Sequence, residues 1–317
     1  MSFAATDTWD VIWLSVAALF AAFLVPLVPF VGAPLAAAAI ATLAYRFHGA
    51  TAWVVTAIAV VASGALLSWP QALVVVAPIV LAAGPIAAPA LRKRPAASVA
   101  FFVGAVVLVV TVTALALDAA SVGKSLGALV NSEMISTLRT FTNGSAAGGA
   151  SARIDPVAYG RQLALLLPGW LVVTSALTGI LVTAAISAVG ARLGVEVSRL
   201  PRLTELRVST YALVPIIVGL SALAGARFAP GVAGVAIGAI GGNLLVVAVP
   251  VLTAQGMGIL LFWLRRIDVP RWGRALFAVV LLVLEPVLPL MTLAGLADTW
   301  LNLRRLPVDE NGPGGTR

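Results

Sequence analysis

Residues 279–291, VVLLVLEPVLPLM, place one glutamate, Glu285, in an otherwise unbroken apolar run and follow it at once with Pro286. An ionised carboxylate in hydrocarbon costs at least about 2.5 to 3.5 kcal/mol, so a membrane helix turns it toward protein or a polar cavity. We therefore expect the last span, residues 275–297, to present Glu285 to the protein interior. Two roles stay open: a hydrogen bond or ion pair between helices, or the binding of a proton or a cationic ligand.

The composition of the whole chain agrees with a lipid surrounding. Of its 317 residues 61% are hydrophobic and 10% charged, and the mean hydropathy is +1.07. Soluble domains have about 45–50% apolar and about 25% charged residues. The sequence therefore predicts a polytopic membrane protein whose first partner is the lipid bilayer.

Several classes of function are unsupported. The chain has no cysteine and one histidine, His48, which excludes disulfides, iron–sulfur clusters and a metal site of histidine and cysteine. It carries no P-loop, GxSxG or HExxH motif, so we expect no enzyme, no cofactor and no metal. The net charge of +8 comes from side chains at the ends of apolar runs, which indicates topology and anionic-lipid contact and no nucleic acid.

Apolar runs of spanning length, about 20 residues, predict an all-α helix bundle. We expect about eight spanning helices, one or two short or re-entrant helices, and one interfacial amphipathic helix. Residues 230–264 are too long for one straight span, so we expect a break at Gly241 and Gly242. The other predicted runs before the last span are 11–30, 34–46, 51–68, 71–91, 97–117, 162–190 and 209–226.

The predicted organisation has four parts in one structural unit. Residues 1–118 and 162–306 form the N-terminal and C-terminal transmembrane helices, 119–161 an extramembrane amphipathic and flexible segment, and 307–317 a polar tail. The first residues carry no lysine or arginine, so the first run is expected to be a retained helix rather than a signal peptide. The arginine-rich loops place the N-terminus in the cytoplasm and leave the side of the C-terminus open.

Polar residues in the C-terminal spans are the candidate ligand contacts. Asn243 and Gln255 are twelve residues apart, a net rotation of about 120°, so they do not share a helix face. Together with Glu285 they would be the polar contacts of a cavity in a binding protein. The alternative is that Asn243 and Gln255 form hydrogen bonds between helices.

Three further patterns concern packing and partners. Glycines four residues apart predict a small-residue face for close helix packing. Residues at i, i+4 and i+7 near the end of the last helix share a face and predict a polar cluster that anchors it, whereas Arg304 lies about 120° away and is expected to point elsewhere. The loop 192–207 is either a positive-inside loop or a docking site for a protein partner. The residues are Gly234, Gly238 and Gly242 for the packing face, Asp298, Asn302 and Arg305 for the cluster, and Arg199, Arg202 and Arg207 for the loop.

The last third resembles a known family. The pieces RLPRLTELRVS (199–209), GGNLLVVAVPVLTAQGMGILLFWLRR (241–266) and LAGLADTWLNLRRL (293–306) resemble the YybS-like family of bacterial inner-membrane proteins. That resemblance implies location in the bacterial inner membrane and a distant similarity to the S components of energy-coupling-factor transporters and to the cell-shape scaffold MreD. The matching positions are Pro201, Asn243, Gln255, Gly256, Gly295, Asp298, Asn302 and Arg304.

Two hypotheses follow. The first is a small-molecule binding or transport component built like an S component, in which Glu285, Asn243 and Gln255 converge on one cavity. The second is a non-transporting scaffold that recruits membrane or cytoplasmic proteins through its arginine loops and glycine faces.

Overall fold

The structure is a computed structural model that describes residues 5–24, 29–47, 49–66, 80, 86–144, 155–206, 208–285, 287–301 and 303–304. Within these ranges every regular element is helical, which confirms the all-α class. The helices are α1 (Ala5–Leu24), α2 (Pro29–Arg46), α3 (Gly49–Leu66), α4 (Ala88–Ala90), α5 (Ala96–Ser121), α6 (Leu126–Gly144), α7 (Pro156–Arg192), α8 (Leu213–Ala226), α9 (Gly231–Arg266), α10 (Arg271–Leu284) and α11 (Leu290–Leu301).

The described helices suit a bilayer by length and by surface. Three of them, α5, α7 and α9, are long and apolar enough to cross a membrane. Shorter apolar stretches of 10–17 residues lie in α1, α2, α3, α8 with the turn before it, and α11. On α5 the apolar side chains of Phe101, Val109 and Leu117 are 79%, 63% and 64% exposed, an outward face that lipid would cover. The count of about eight spanning helices stays a prediction.

The chain divides into two compact units, each with its own packing. The first comprises Met1–Leu167 and Leu171–Leu200. One apolar cluster joins α2, α4, α5 and α7 around Val103 and Ile186, and a second joins α1, α2 and α3 around Ile40. Helix α6 falls within the predicted segment 119–161, and its position at a membrane surface stays a prediction.

The second unit comprises Pro168–Trp170 and Pro201–Arg317. Its helices α8, α10 and α11 and the 3-10 turn Leu203–Glu205 pack on α9. Because each of these four elements meets α9, the residues of α9 decide which polar groups come together.

The predicted break at Gly241 and Gly242 is wrong, because α9 runs without interruption from Gly231 to Arg266 and contains Pro250. A Cβ atom at Gly241 would lie 2.7 Å from the carbonyl oxygen of Gly219 in α8. The glycine therefore allows close packing of two backbones and does not interrupt the helix.

The single span predicted over residues 275–297 is also wrong. Helix α10 ends at Leu284 and α11 begins at Leu290. The Leu288 amide donates to the Leu284 carbonyl at 2.8 Å, which closes the turn between them. The physical reason is in the sequence EPVLP, since neither proline has an N–H to donate to the carbonyl four residues earlier, and a proline ring inside a helix clashes with that carbonyl.

Candidate functional site

Glu285 lies at the junction of α10 and α11 and caps the start of α11. Its carboxylate oxygens accept hydrogen bonds from the backbone amides of Met291 at 2.9 Å and Thr292 at 2.7 Å. These amides belong to the first turn of α11, whose N–H groups have no partner inside the helix. A carboxylate also interacts favourably with the positive end of the helix dipole. The half-buried glutamate therefore stabilises the break in the last helix.

Two threonine hydroxyls surround the same carboxylate. The Thr292 hydroxyl donates to Glu285 Oε1 at 2.6 Å. The Thr253 hydroxyl, from α9, lies 2.8 Å from the Thr292 hydroxyl and 3.5 Å from Glu285 Oε1. The junction thus places one carboxylate and two hydroxyl groups beside α9. Each of these groups has an oxygen atom that can act as a ligand of a cation.

A second polar group lies where α9 and α11 cross. Asp298 Oδ2 accepts from Gln255 Nε2 at 3.0 Å and from Arg304 Nη2 at 2.7 Å. The Arg304 guanidinium also donates to the carbonyls of Thr204 at 3.1 Å and Leu206 at 2.7 Å. We call Gln255, Asp298 and Arg304 the buried polar cluster, since at most 5% of each residue is exposed. It ties the segment after Pro201 to α9 and α11.

Three atoms of the buried polar cluster have no hydrogen-bond partner among the described residues: Gln255 Oε1, Asp298 Oδ1 and Arg304 Nε. The charges of Asp298 and Arg304 cancel, which makes their burial tolerable. The cluster is therefore a set of fixed dipoles and a neutral ion pair, suited to holding three segments in register.

Glycines allow the approach that creates this cluster. A Cβ atom at Gly256 would collide with the Met291 carbonyl, and one at Gly295 with the Leu252 carbonyl. Gly258 similarly leaves room for the Leu203 carbonyl and the Arg304 guanidinium. The backbones of α9 and α11 thus touch directly.

The expectation that Arg304 points away from Asp298 is wrong. Helix α11 ends at Leu301, so a rotation of 100° per residue no longer applies at Arg304, which lies in a turn and folds back. The sequence predicted a helix-end cluster of Asp298, Asn302 and Arg305. Of these, Asn302 and Arg305 lie outside the described residues. Asp298 is buried and not at an exposed helix end.

Asn243 contacts a different neighbour. Its Oδ1 atom accepts from the Gly169 amide at 2.6 Å, and its amide group donates to the Ala239 carbonyl at 2.7 Å. Because Asn243 and Gln255 lie on different faces of α9, as predicted from their spacing, their side chains contact different partners. The two amides and Glu285 each take part in a different set of hydrogen bonds, and their role as ligand contacts stays a prediction.

The glycine face of α9 packs on α8 and the turn after it. A Cβ atom at Gly234 would meet the carbonyls of Ala226 and Ala229, and one at Gly238 would lie 3.5 Å from the Ala226 side chain. Gly241 is the next tight contact along this face, whereas Gly242 is half-buried.

The predicted partner loop contributes to two different surfaces. Arg199 lines a cavity of about 720 Å³ together with Arg92, Lys93 and Arg94 in the first unit. Arg202 lines a cavity of about 640 Å³ in the second unit. Arg207 lies outside the described residues.

A metal centre is one kind of site that the described residues do not supply. They contain no group of three His, Cys, Asp or Glu side chains placed to hold a metal ion. What they offer is hydrogen bonding at the α10–α11 junction, a neutral buried ion pair and arginine-lined cavities.

Thr253 and Thr292 were not predicted as site residues, because a threonine carries no signal of its own in an apolar chain. Helical rotation placed Arg304 away from Asp298, although Arg304 was among the positions shared with the resembled family. Gln255, Gly256, Gly295, Asp298 and Arg304 lie together in the structure, so the shared motif was the better guide.

Comparison with known proteins gives one match at the level of a family. A search of the curated proteins and a search of the solved structures gave no match. The family described as "Predicted membrane protein (DUF2232)" matches residues 13–299, a range that contains the α10–α11 junction and reaches Asp298. The chain therefore belongs to this family of membrane proteins, whose function is not known.

Proposed function

We propose that the protein is a binding or transport component of the bacterial inner membrane, similar to the YybS-like proteins and distantly to S components. It acts without catalysis, with its N-terminus in the cytoplasm. The site that we propose for a proton or a cation is the junction of α10 and α11 around Glu285.

The observation that carries this proposal is the half-buried carboxylate between two short helices, with two threonine hydroxyls beside it. Many transporters bind ions and substrates at discontinuous helices. Here the protein's own carboxylate already occupies the positive end of α11, which disfavours an external anion there. Carboxylate and hydroxyl oxygens are the ligands that hard cations prefer.

A mechanism follows from the hydrogen bonds. Protonation of Glu285, or coordination of a cation by it, competes with acceptance from the Met291 and Thr292 amides. The capping of α11 would then weaken, and the junction would move relative to α9. Ligand occupancy is thereby coupled to the angle between the two short helices.

The test is thermal unfolding of the purified protein in detergent with a panel of monovalent cations, vitamins and metabolites. The variants are wild type, Glu285→Gln, and Glu133→Gln, an exposed glutamate in α6, as control. A compound at 100 times its dissociation constant stabilises the folded state by about 2.7 kcal/mol. We expect at least one compound of the panel to raise the melting temperature of wild type and of Glu133→Gln but not that of Glu285→Gln. A panel that shifts none of the three, or all three equally, contradicts a cation or small-molecule site at Glu285.

The second candidate is a scaffold that recruits partner proteins, as suggested by the resemblance to MreD. The observation in its favour is that Asn243 and Gln255 form hydrogen bonds between helices, as a filled interior requires. Cross-linking in membranes followed by identification of partners, in wild type and in Arg199→Gln/Arg202→Gln, tests it. A scaffold predicts a defined partner that the double substitution releases.

A further inference from the structure

We propose that the arginine-lined cavity at the start of α10 binds the phosphate group of an anionic phospholipid. The cavity has a volume of about 640 Å³ and lies wholly within the second unit. Its basic residues come from three segments: Arg202 from the loop after Pro201, Arg265 from the last turn of α9, and Arg271 and Arg274 from α10.

The charge of the cavity has little internal compensation. Among the described residues, Arg265, Arg271 and Arg274 form no ion pair, and Arg202 lies 3.9 Å from Glu205 with both side chains largely exposed. Helix α10 begins at Arg271 without a side-chain cap, so its positive end adds to the field of the arginines. Guanidinium groups bind phosphate oxygens in pairs of parallel hydrogen bonds. The cavity therefore favours a phosphate oxyanion.

The position and the remaining lining favour a lipid over free phosphate. Helix α9 is long enough to cross a membrane and ends at Arg266, so the cavity lies at the end of a span, where headgroups are. Its wall continues from the arginines to the apolar side chains of Leu261, Ala275 and Ala278. Basic pockets between helices at such a level bind acidic lipid headgroups. An apolar wall next to the arginines suits the acyl chains of the same molecule.

This inference does not depend on a role for Glu285, because the two sites share no residue. The experiment is native mass spectrometry of the detergent-purified protein with phosphatidylglycerol, with phosphatidylcholine of the same chains, and with glycerol phosphate as soluble competitor. The test variant is Arg271→Gln/Arg274→Gln. The control, Arg227→Gln/Arg266→Gln, removes the same charge from the same unit at exposed positions outside this cavity.

We expect wild type and control to retain phosphatidylglycerol in preference to phosphatidylcholine. Each arginine of the cavity should contribute about fivefold to the binding of an acidic lipid, so the test variant should lose about 25-fold in affinity. If the test variant misfolds, Arg202→Gln/Arg265→Gln should show the same loss. Equal retention of both lipids, or an equal loss in test and control variants, overturns the proposal. Displacement of the lipid by glycerol phosphate at matched concentration overturns the choice of a lipid and leaves a soluble phosphate as the ligand.

Discussion

The two halves of α9 both make close contacts through glycine, but they are held in different ways. In the first half, Gly234 and Gly241 lie against α8 and the turn after α8. These two elements directly precede α9 in sequence. In the second half, Gly256 and Gly258 lie against α11 and the segment after Pro201, both distant in sequence. Only the second contact contains the buried polar cluster.

This difference shows where polar groups are needed inside an apolar bundle. A helix hairpin with a short connection has few alternative arrangements, so van der Waals packing of small residues suffices. Segments that meet over long distances in sequence could pack in many registers, because lipid and Leu-rich surfaces are equally apolar. A buried ion pair with directional hydrogen bonds selects one register, as buried polar groups do in some soluble proteins.

The largest expected effect comes from removing one charge of the buried polar cluster. Arg304→Ala removes the charged donor of Asp298 and of two backbone carbonyls, and breaking a buried pair costs about 3–5 kcal/mol. We expect a loss of that size in the free energy of unfolding, measured by titration with a denaturing detergent in mixed micelles.

The matching double variant sharpens this prediction. Replacing a whole buried pair by apolar residues is often neutral or stabilising, so Asp298→Leu/Arg304→Met should recover most of the loss. If the double variant is as unstable as Arg304→Ala, the side-chain volume or the contact with Thr204 and Leu206 matters more than the unpaired charge.

The next largest effect compares glycines at the two contacts. Gly256→Ala places a methyl group against the Met291 carbonyl and forces the backbones apart, which costs about 1–3 kcal/mol. Gly238→Ala meets only the Ala226 side chain at 3.5 Å and should be neutral or stabilising by up to about 1 kcal/mol, since alanine favours helix. The same unfolding titration measures both. Equal destabilisation by the two substitutions would contradict a tighter contact at α11.

The fold class and the individual motifs could be predicted from sequence, but the breaks could not. Hydropathy identifies α5, α7 and α9 because lipid exposure requires long apolar runs. Glycine pairs, however, can either interrupt a helix or allow another backbone to approach, and only the neighbour decides, as Gly241 shows. The EPVLP break was visible in its prolines, yet a run of apolar residues on both sides favoured one span.

The buried polar cluster was only partly predictable, for a related reason. Helical rotation correctly separated Asn243 from Gln255, both inside α9. The same rule failed for Arg304, because it assumes a helix that continues beyond Leu301. The distances between α9, α11 and the loop after Pro201 depend on tertiary packing that no local pattern encodes.

A smaller effect is expected at the junction of α10 and α11. Glu285→Gln keeps one acceptor oxygen but loses the charge at the start of α11, so we expect a loss of about 1 kcal/mol. Thr292→Val removes one hydroxyl donor and should cost a similar amount. If both substitutions leave the unfolding titration unchanged, Glu285 does not stabilise the break. The rate of hydrogen exchange of the backbone amides at positions 291 and 292 provides the local measurement, and it should rise in both variants.

The smallest effect is expected for the ion pair of Asp10 and Arg46 in the first unit, which has the same chemistry as the buried pair in a different surrounding. The Arg46 guanidinium lies 2.8 Å from Asp10 with side chains 49% and 41% exposed. Exposed pairs contribute about 0–1 kcal/mol and are screened by salt. Asp10→Asn should therefore change the free energy of unfolding by less than about 1 kcal/mol, and by less still at high salt. A loss of free energy of unfolding as large as that of Arg304→Ala would mean that distance, and not burial, sets the strength of ion pairs in this protein. The contrast between the contacts of α9 with α8 and with α11 would then need another cause.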